Sequence, residues 1–547
     1  MNGGGRRGPD GRPDAQIEHR IETSWTARRG RRLPLLVTAM GAACAVLLLL
    51  WTTAHGLGVS PDSTVYVETA RSLMAGEGFR AHGEPMTHFP PFYPLLLAIA
   101  GLVGSDFLES ARILHAVLYG LNLALCALAV QTITQRNLAA TLGVVGLLLA
   151  SAPMLEVHAM VMSEAPFLTL SLAGYLLLAA HLAKPSRRLL TLAAAALGLA
   201  VATRYVGVAL LPPMVLALLL LGRRSRAARL ADVLLASAVA GAPLAVWVWR
   251  NLQQAGTATN RSLAFHPVGL MHLKTFITTL HDLALPLAAP GWLKALHLMA
   301  ALALCLIAAV SLRRRAALKA AAVPRGLALG LVAVGFAVSY LLLLSASLSL
   351  FDAHTPVDAR ILLPAFLFLV LAGFGLACTL ARARDGRVLG WAMLGLLGLC
   401  IAVNAGQALT QAKQIRRQGL WYASPAWRAS ATLAYVAGLP AELRLYSNGA
   451  DVIRFITQRE AVMLPVVTEP MTREPSPLRE RELARVCREV QAREALVVYL
   501  DGVDWRWYMP EAQELATRCE IGVLKELADG VVYGPGVPPA ASTAGGS

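Results

Sequence analysis

The sequence predicts a mainly α-helical protein that crosses a membrane many times and ends in a small α/β domain. Of its 547 residues, 56% are hydrophobic and only 6% are aromatic, so Leu, Ala and Val supply most of the apolar mass. Soluble domains are about 45–50% apolar, and a helix in lipid satisfies its own backbone polar groups. The sequence pattern changes after residue 410, where short runs of β-branched and aromatic residues alternate with helical runs. This alternation predicts the second domain.

The N-terminal residues 1–32 are rich in Gly and Arg and have no apolar periodicity, which predicts a disordered cytoplasmic arm. The next run, LPLLVTAMGAACAVLLLLWTTA (33–54), is long enough to cross a bilayer, which takes about 20 apolar residues. The basic RRGRR ahead of it favours a cytoplasmic N-terminus. An uncleaved anchor is favoured over a signal peptide, because the arm is long and no clear small-residue cleavage site follows Trp51.

Further apolar runs predict the rest of a membrane domain over residues 33–409. They lie at 89–104, 107–133, 138–157, 160–183, 189–204, 205–222, 230–249, 291–312, 326–350, 361–382 and 388–409. The basic clusters between them, at 184–188, 223–229, 313–319 and 382–387, are predicted to be cytoplasmic. The loop 55–88 and the chain after residue 410 then lie outside. We expect about 11 full crossings among roughly 11–13 elements, because the short, proline-broken run 89–104 is expected to re-enter.

The C-terminal residues 410–540 predict an extracytoplasmic α/β domain, followed by a disordered tail, 541–547. Short strands are predicted at 443–448, 461–466, 495–500 and 530–535, with helices between them. The glycines follow no phosphate-binding spacing, so no nucleotide site is predicted. Cys487 and Cys519 both fall in this domain, where an oxidising compartment permits a disulfide; the sequence leaves open whether they pair.

The segment SPDSTVYVETARSLMAGEGF (60–79) is the first candidate site, since it places a carboxylate between two apolar runs. Its spacing predicts a helix with Asp62, Tyr66 and Thr69 on one face. Asp62 follows Pro61, which is also typical of a helix N-cap that accepts backbone N–H groups. The two roles are compatible, because a capping carboxylate can still point its second oxygen into a cavity.

These residues resemble a known family. The pattern D-S-x-x-Y-x-x-x-A-R-S-L-x-x-G-x-G-F followed by H-F-P-P-x-x-P-L-L-L is similar to the first outer loop and second membrane element of the GT-C glycosyltransferases. The closest branch resembles protein O-mannosyltransferases, aminoarabinose transferases and their bacterial relatives. Further matches follow in order at VMSEAPF (161–167), ATRYVG (202–207), ARILLPA (359–365) and LYSNGADVIRFIT (445–457). One position departs: many relatives carry a second acid where Ser63 stands here, which weakens any two-carboxylate or metal-bound arrangement.

The resemblance implies a GT-C fold and the transfer of a sugar from a polyprenyl-phosphate donor to a glycan, lipid or protein acceptor. Asp62 is the expected general base, and Glu164 is a second catalytic candidate. The leaving phosphate needs cations, for which Arg360 is the first candidate and Arg204 and His88 are the next. Tyr66 is expected to line the substrate pocket. No cofactor or metal is indicated, although a divalent metal stays compatible with the sequence.

Simpler interpretations accompany these assignments. Arg360 could pair with Asp358 or Asp352 or extend to the interface, and Glu164 could serve only the dipole of a membrane helix. A lipid-linked sugar flippase or transporter, or a lipid-sugar-binding protein without activity, would use a similar frame. The net charge of +16 could suggest nucleic acid, but the basic residues form short clusters between apolar runs, which excludes that partner. We expect a multi-pass protein of the bacterial plasma membrane.

Overall fold

The structure is a computed structural model that describes residues 14–104, 106–261, 263–285, 289–300, 303, 325–351, 355–382 and 387–536. Asp352, most of the basic cluster at 382–387, all of the cluster at 313–319 and the tail 541–547 lie outside the described residues. So does most of the predicted span 291–312 beyond residue 300.

The first part of the chain is almost entirely helical. Its helices are α1 (Asp14–Thr52), α2 (Pro61–Met74), α3 (Phe92–Val103), α4 (Phe107–Thr134), α5 (Leu138–Leu149), α6 (Ala152–His158), α7 (Glu164–Ala183), α8 (Arg187–Val201), α9 (Leu211–Leu221), α10 (Arg226–Ala255), α11 (Leu270–Ala284), α12 (291–300), α13 (Arg325–Leu350), α14 (Ala359–Arg382) and α15 (Arg387–Gln418). A 3₁₀-helix, Tyr205–Leu210, leads into α9, and a two-stranded hairpin of β1 (Arg80–Ala81) and β2 (Glu84–Pro85) follows α2.

Among the described residues, seven helices are long and apolar enough to cross a membrane. They are Arg32–Thr52 of α1, Phe107–Thr134, Glu164–Ala183, Arg226–Ala255, Arg325–Leu350, Ala359–Cys378 of α14 and Gly390–Gln418 of α15. The predicted run 138–157 instead forms α5 and α6, which are bent by 62° and would add an eighth span if counted as one. The bend has a local cause, because Ser151 caps α6 and a proline occupies its first turn. The count of about 11 crossings therefore stays a prediction.

Two predicted boundaries differ from the structure. Residues 14–32 were expected to be disordered, but α1 begins at Asp14 and continues through them into the span. This stretch has no Gly or Pro between Asp14 and Arg29 and is rich in residues that tolerate a helix. The C-terminal domain begins later than residue 410, because α15 continues to Gln418. The short run 89–104 contains α3, which has only 12 residues and is too short to span a bilayer by itself.

The C-terminal domain is built on a five-stranded sheet. Its elements are α16 (Pro425–Arg428), α17 (Ala431–Ala437), β3 (Arg444–Ser447), α18 (Ala450–Thr457), β4 (Val462–Met463), α19 (Arg479–Gln491), β5 (Ala495–Leu500), α20 (Ala512–Cys519), β6 (Ile521–Leu527) and β7 (Gly530–Pro535). The strand order is β4-β3-β5-β7-β6. Strands β4, β3 and β5 are parallel neighbours, whereas β7 pairs antiparallel with β5 and β6.

All four predicted strands are present in this sheet, and one strand was missed. Strand β6 lies at the edge, and four of its seven residues are exposed, so it lacks the apolar alternation by which the others were found. Cys487 and Cys519 form a disulfide with a Cα–Cα distance of 4.7 Å, which settles the pairing that the sequence left open. The disulfide joins α19 to the end of α20.

Candidate active site

Helix α2 carries Asp62 in its first turn. Ser60 is the N-cap residue, and its Oγ accepts a hydrogen bond from the backbone N–H of Ser63 at 3.4 Å. Pro61 occupies the first helical position, where its missing N–H costs nothing. The expectation that Asp62 itself caps the helix is therefore wrong: Ser60 does so. The Asp62 carboxylate is released for other contacts, and its side chain is 47% exposed.

The segment that leads into α2 is fixed by two short backbone bridges. Gly58 pairs with Met160, and Val59 pairs with Trp421 at the start of the C-terminal domain. Gly58 N–H donates to the Ala159 carbonyl at 2.8 Å. A Cβ at Gly58 would lie 2.6 Å from the Cβ of Leu420, so only glycine fits this close approach. The position of Asp62 thus depends on two distant parts of the chain, residues 159–160 and 420–421.

The loop between the hairpin and α3 is held by the end of α10. The Arg250 guanidinium donates to the carbonyls of Met86 at 2.6 Å and Phe79 at 2.9 Å. The same guanidinium lies over the Trp247 ring, 4.7 Å from its centroid. Asn251 Nδ2 donates to the Thr87 carbonyl at 3.2 Å. These contacts fix the backbone that presents the next residue, His88.

Glu164 is buried beneath two arginines at the start of α7. Its side chain is 1% exposed, and its Oε1 lies 2.6 Å from Arg204 Nη1 and 3.5 Å from Arg360 Nη1. Arg204 Nη1 also donates to Ser163 Oγ at 3.1 Å. A buried carboxylate is costly unless it is paired, and here two guanidinium groups pair with it. The structure therefore brings Glu164, Arg204 and Arg360 together.

Arg360 contacts several acids of this cluster. Besides its contact with Glu164, its Nη1 lies 3.7 Å from Asp62 Oδ2, and its Nε lies 4.0 Å from Asp358 Oδ2. Asp358 has a separate duty, because its Oδ1 accepts from the N–H of Ile361 at 2.8 Å and so caps α14. The predicted pair with Asp358 exists, but among the described residues it is the longest of the three contacts that Arg360 makes with acids.

Tyr66 lies one turn beyond Asp62 on α2 and is buried. Its hydroxyl is 3.3 Å from Ser163 Oγ, and its ring packs against those of Phe89 and Tyr93, with centroids 4.7 and 4.9 Å away. Burial raises the pKa of the Tyr66 hydroxyl well above its usual range. The group therefore stays protonated at neutral pH and acts as a wall and hydrogen-bond partner of the site.

A cavity of about 680 Å³ opens above this cluster. Five of the six predicted site residues line it: Asp62, Tyr66, His88, Arg204 and Arg360. Glu164 is not on its wall and touches it only through the two arginines. The rest of the wall includes apolar side chains, Val206, Val208, Leu244, Val248, Leu343 and Leu344 among them. The cavity thus combines one exposed carboxylate, several cations and an apolar side.

Sequence reasoning missed two groups of cavity residues. Arg261, in the loop after α10, lines the cavity as a third guanidinium. A signal was present, because residues 251–281 contain no acid that could neutralise it. The C-terminal domain contributes Pro470, Met471, Trp505 and Tyr508. No local sequence pattern predicts this contribution, because it depends on how the loops of the sheet pack against the helical domain.

Side chains that could bind a metal ion are not clustered in the described part of the chain. Across the part of the chain that the structure describes, no three histidine, cysteine, aspartate or glutamate side chains come together in a group that could hold a metal ion. The acids of the site meet arginines instead. The expectation of a metal-independent site stays a prediction.

Residues 88–249 match the family model described as dolichyl-phosphate-mannose-protein mannosyltransferase. The fold is similar to the crystal structure of ArnT from Cupriavidus metallidurans in the apo state, with a TM-score of 0.56 and 16% identity over 94% of this chain and 98% of that chain. The structure of the same protein bound to undecaprenyl phosphate matches with a TM-score of 0.55 and 15% identity over 93% and 99%. No curated protein sequence matches the chain.

These matches agree with the motif resemblance to the GT-C glycosyltransferases: the family model covers residues 88–249, and the fold of nearly the whole chain is similar to that of ArnT. The resemblance drawn from its motifs is thereby confirmed, as is a multi-pass, mainly helical membrane fold. The match to ArnT extends over nearly the whole of both chains, so the likeness of fold includes the C-terminal domain as well as the helices. At such low identity the likeness concerns the fold, and the duties of individual residues are argued from the geometry of this cavity.

Proposed function

We propose that this protein is a GT-C glycosyltransferase that transfers a sugar from a polyprenyl-phosphate donor to an acceptor hydroxyl at the extracytoplasmic face, with Asp62 as general base. One observation carries the proposal: a half-exposed carboxylate shares a single cavity with the guanidinium groups of Arg204, Arg261 and Arg360. A base and an anion site side by side are what this reaction needs. The family match and the fold support the class of reaction.

The proposed step is a single displacement at the anomeric carbon. The acceptor oxygen attacks C1 of the sugar as Asp62 takes its proton. The bond between C1 and the phosphate oxygen breaks, and the lipid phosphate leaves with the electron pair. Because the acceptor attacks the face opposite the leaving group, the configuration at C1 is inverted. Proton removal by a positioned base contributes typically 10²–10⁴-fold to such a rate.

The leaving phosphate is assigned to Arg360 first. Its side chain is 28% exposed, against 15% for Arg204, and it borders the carboxylate that receives the proton. A planar guanidinium can bind two phosphate oxygens at once. Arg261 and His88 line the same cavity and are assigned supporting roles. Glu164 is buried behind both arginines, so its proposed role is to position them without touching the substrate.

The donor's prenyl chain is assigned to the apolar side of the cavity, where Leu244, Val248 and Leu343 are exposed to it. The proposed orientation of the site in the membrane also favours a lipid-linked donor. Nucleotide sugars are confined to the cytoplasm, so a transferase whose base faces outward needs a donor that crosses the bilayer on its own lipid. Reporter fusions at Ser60, Arg226 and Ser447 should give outside, inside and outside. A cytoplasmic signal at Ser447 would contradict the proposed orientation.

The direct test is an assay of the purified protein in lipid with a panel of polyprenyl-phosphate sugars and an extract of cell-envelope glycans, lipids and proteins. We expect release of free polyprenyl phosphate together with a glycosylated product. Transport of the intact donor without product would identify a flippase, and binding alone would identify a lipid-sugar-binding protein. Either outcome would overturn the proposed reaction.

A further inference from the structure

A second concave surface lies on the other side of α2, between the hairpin and the C-terminal domain. This hairpin groove has a volume of about 320 Å³ and is formed by the second half of α2, residues 77–83 and the end of α18. Its polar lining residues are Glu68, Arg71, Ser72, Glu77, Arg80, His82, Arg454, Gln458, Arg459 and Glu460. None of them lines the cavity that contains Asp62. The groove is therefore a separate candidate site.

The floor of the groove is held by a cluster of ionic contacts. Glu68 on α2 makes an ion pair with His82 at the tip of the hairpin, and its Oε1 lies 3.9 Å from Arg454 Nε on α18. Arg454 Nη2 lies 3.2 Å from His82 Nε2. Arg459 donates to four backbone carbonyls of the C-terminal domain, which occupies most of its N–H groups. These four residues build the groove and are not available to a ligand.

Two guanidinium groups of the rim are differently placed. No salt bridge between described residues includes Arg71 or Arg80, although both line the groove. The Arg71 guanidinium lies 5.7 Å from the centre of the Phe107 ring, and Arg80 donates to the Gly83 carbonyl of its own hairpin. Two cations without an acid partner in one concavity favour an anion, since Arg binds phosphate and carboxylate through paired donors.

The groove also contains hydrogen-bond acceptors. Glu77 accepts from Ser72 Oγ at 3.5 Å, and Glu460 is exposed at the end of α18. Gln458 adds a side-chain amide. Carboxylate and amide oxygens accept hydrogen bonds from hydroxyl groups. A ligand that meets both the guanidinium groups and these acceptors therefore carries an anionic group and several hydroxyls.

We propose that the hairpin groove binds a saccharide that bears a phosphate or carboxylate group, and that this saccharide is part of the acceptor. Its assignment to the acceptor rests on the proposed function, whereas the binding itself does not. The groove and the cavity share α2: Arg71 lies nine residues beyond Asp62, which is about 13 Å along a helix axis. Nine residues are about two and a half turns, so Arg71 and Asp62 project from opposite faces of α2. An acceptor anchored at Arg71 therefore passes around the helix, over several sugar units, to place a hydroxyl at Asp62.

The test is a titration of the full-length protein in detergent with glucose 6-phosphate, followed by calorimetry. All proteins carry Arg360→Ala, so that the probe does not report an anion bound in the donor cavity. We expect binding to this parent protein and a loss of roughly tenfold or more in affinity when Arg71→Gln and Arg80→Gln are added, because each change removes a charged hydrogen-bond donor. Arg80→Gln alone changes an exposed hairpin residue and should give a smaller loss in the same direction.

The matched control is the pair Arg481→Gln and Arg485→Gln, which removes two exposed charges from α19 outside the groove and should leave the affinity within about twofold. Equal affinity in the groove variant and in this control would overturn the proposal, as would no binding to the parent. Inorganic phosphate that binds as tightly as glucose 6-phosphate would show that no saccharide is recognised. Displacement of the probe by phosphatidylglycerol in nanodiscs would assign the groove to a lipid headgroup. None of these readouts depends on sugar transfer, so the proposed function can fail or succeed separately.

Discussion

Asp62 and Glu164 place the same functional group in two opposite environments. Each is an acid in the first turn of a helix, and each has an oxygen within 4 Å of Arg360 Nη1. The Asp62 side chain is 47% exposed and makes its contact at 3.7 Å, whereas that of Glu164 is 1% exposed and contacts two guanidinium groups. Under the proposed function, this difference in burial separates a carboxylate that can exchange protons with a substrate from one that holds cations in place.

The largest effect is expected from Asp62→Asn. If Asp62 is the base, turnover falls by roughly 10²–10⁴-fold. Stability should change little, because Ser60 caps α2 and the substitution removes only a charge near the helix N-terminus, worth about 0.3–1 kcal/mol. The measurements are sugar transfer and thermal unfolding of the purified variant.

The matched control for this change is Asp358→Asn, which alters an acid on the other side of the same arginine that is not placed at the cavity. It should keep most of the activity. A well-folded Asp62→Asn protein with near-normal turnover would show that Asp62 is not the base. Asp62 and Glu164 would then differ in burial but not in catalytic role.

Glu164→Gln should show the reverse pattern, with stability as the main loss. The change leaves two guanidinium groups beside an uncharged side chain, and breaking a buried pair by removing one partner costs about 3–5 kcal/mol. We expect a lower thermal midpoint and a smaller free energy of unfolding in detergent, and a pH dependence of the remaining activity like that of the unmodified protein. A Glu164→Gln protein of unchanged stability but with no turnover would instead make Glu164 a catalytic acid.

Arg360 connects the two acids, so its substitutions sharpen the comparison. Arg360→Ala should raise the apparent KM for the lipid-phosphate donor by roughly tenfold, the scale of one charge-assisted hydrogen bond. Arg360→Lys should recover only part of this, since Lys offers a point charge where Arg offers a planar fork.

The alternative for Arg360 is a structural pair with Asp358. It predicts that Arg360→Ala lowers stability without changing donor kinetics, and that adding Asp358→Asn restores much of what was lost. Donor kinetics and thermal unfolding of the two single variants and the double variant decide between them. Unchanged kinetics in a stable Arg360→Ala protein would move the phosphate site to Arg204, Arg261 and His88.

The sequence predicted much of this site because of where its residues fall along the chain. Asp62, Arg204 and Arg360 each lie at an end of an apolar run on one predicted side of the membrane, and ends that share a face can meet. The burial of the two acids could not be predicted in the same way. Asp62 and Glu164 both lie at the start of a helix, so the local sequence does not show which of them is buried. Ser60, not Asp62, caps α2, because a proline at the first position shifted the cap by two residues from the one expected.

Local sequence patterns also could not predict the features that depend on how the C-terminal domain packs against the helices. The C-terminal domain supplies Trp505 and Tyr508 to the cavity through loops of its sheet, and its strand β6 is an exposed edge without clear alternation. The part of α1 before Arg32 has no apolar stripe in its sequence that would predict a helix. Each of these is fixed by contacts between distant segments or by weak local preference, which a reading of periodicity does not detect.

The smallest effect is expected from Tyr66→Phe, which tests whether the exposed acid acts without help from its buried neighbour on the same helix. The change keeps the ring between Phe89 and Tyr93 and removes one hydrogen bond to Ser163, at 3.3 Å, worth about 0.5–1.5 kcal/mol. Because burial keeps the pKa of the Tyr66 hydroxyl high, the group takes no proton from a substrate near pH 7. Turnover should therefore fall by no more than about tenfold, with an unshifted pH profile. Tyr66→Ala is the contrasting variant: it removes the ring and should cost about 3–5 kcal/mol of stability through the void it leaves. A Tyr66→Phe protein that folds normally but loses turnover as severely as Asp62→Asn would place the proton transfer on the buried hydroxyl, and the division between an exposed working acid and a buried supporting one would not hold.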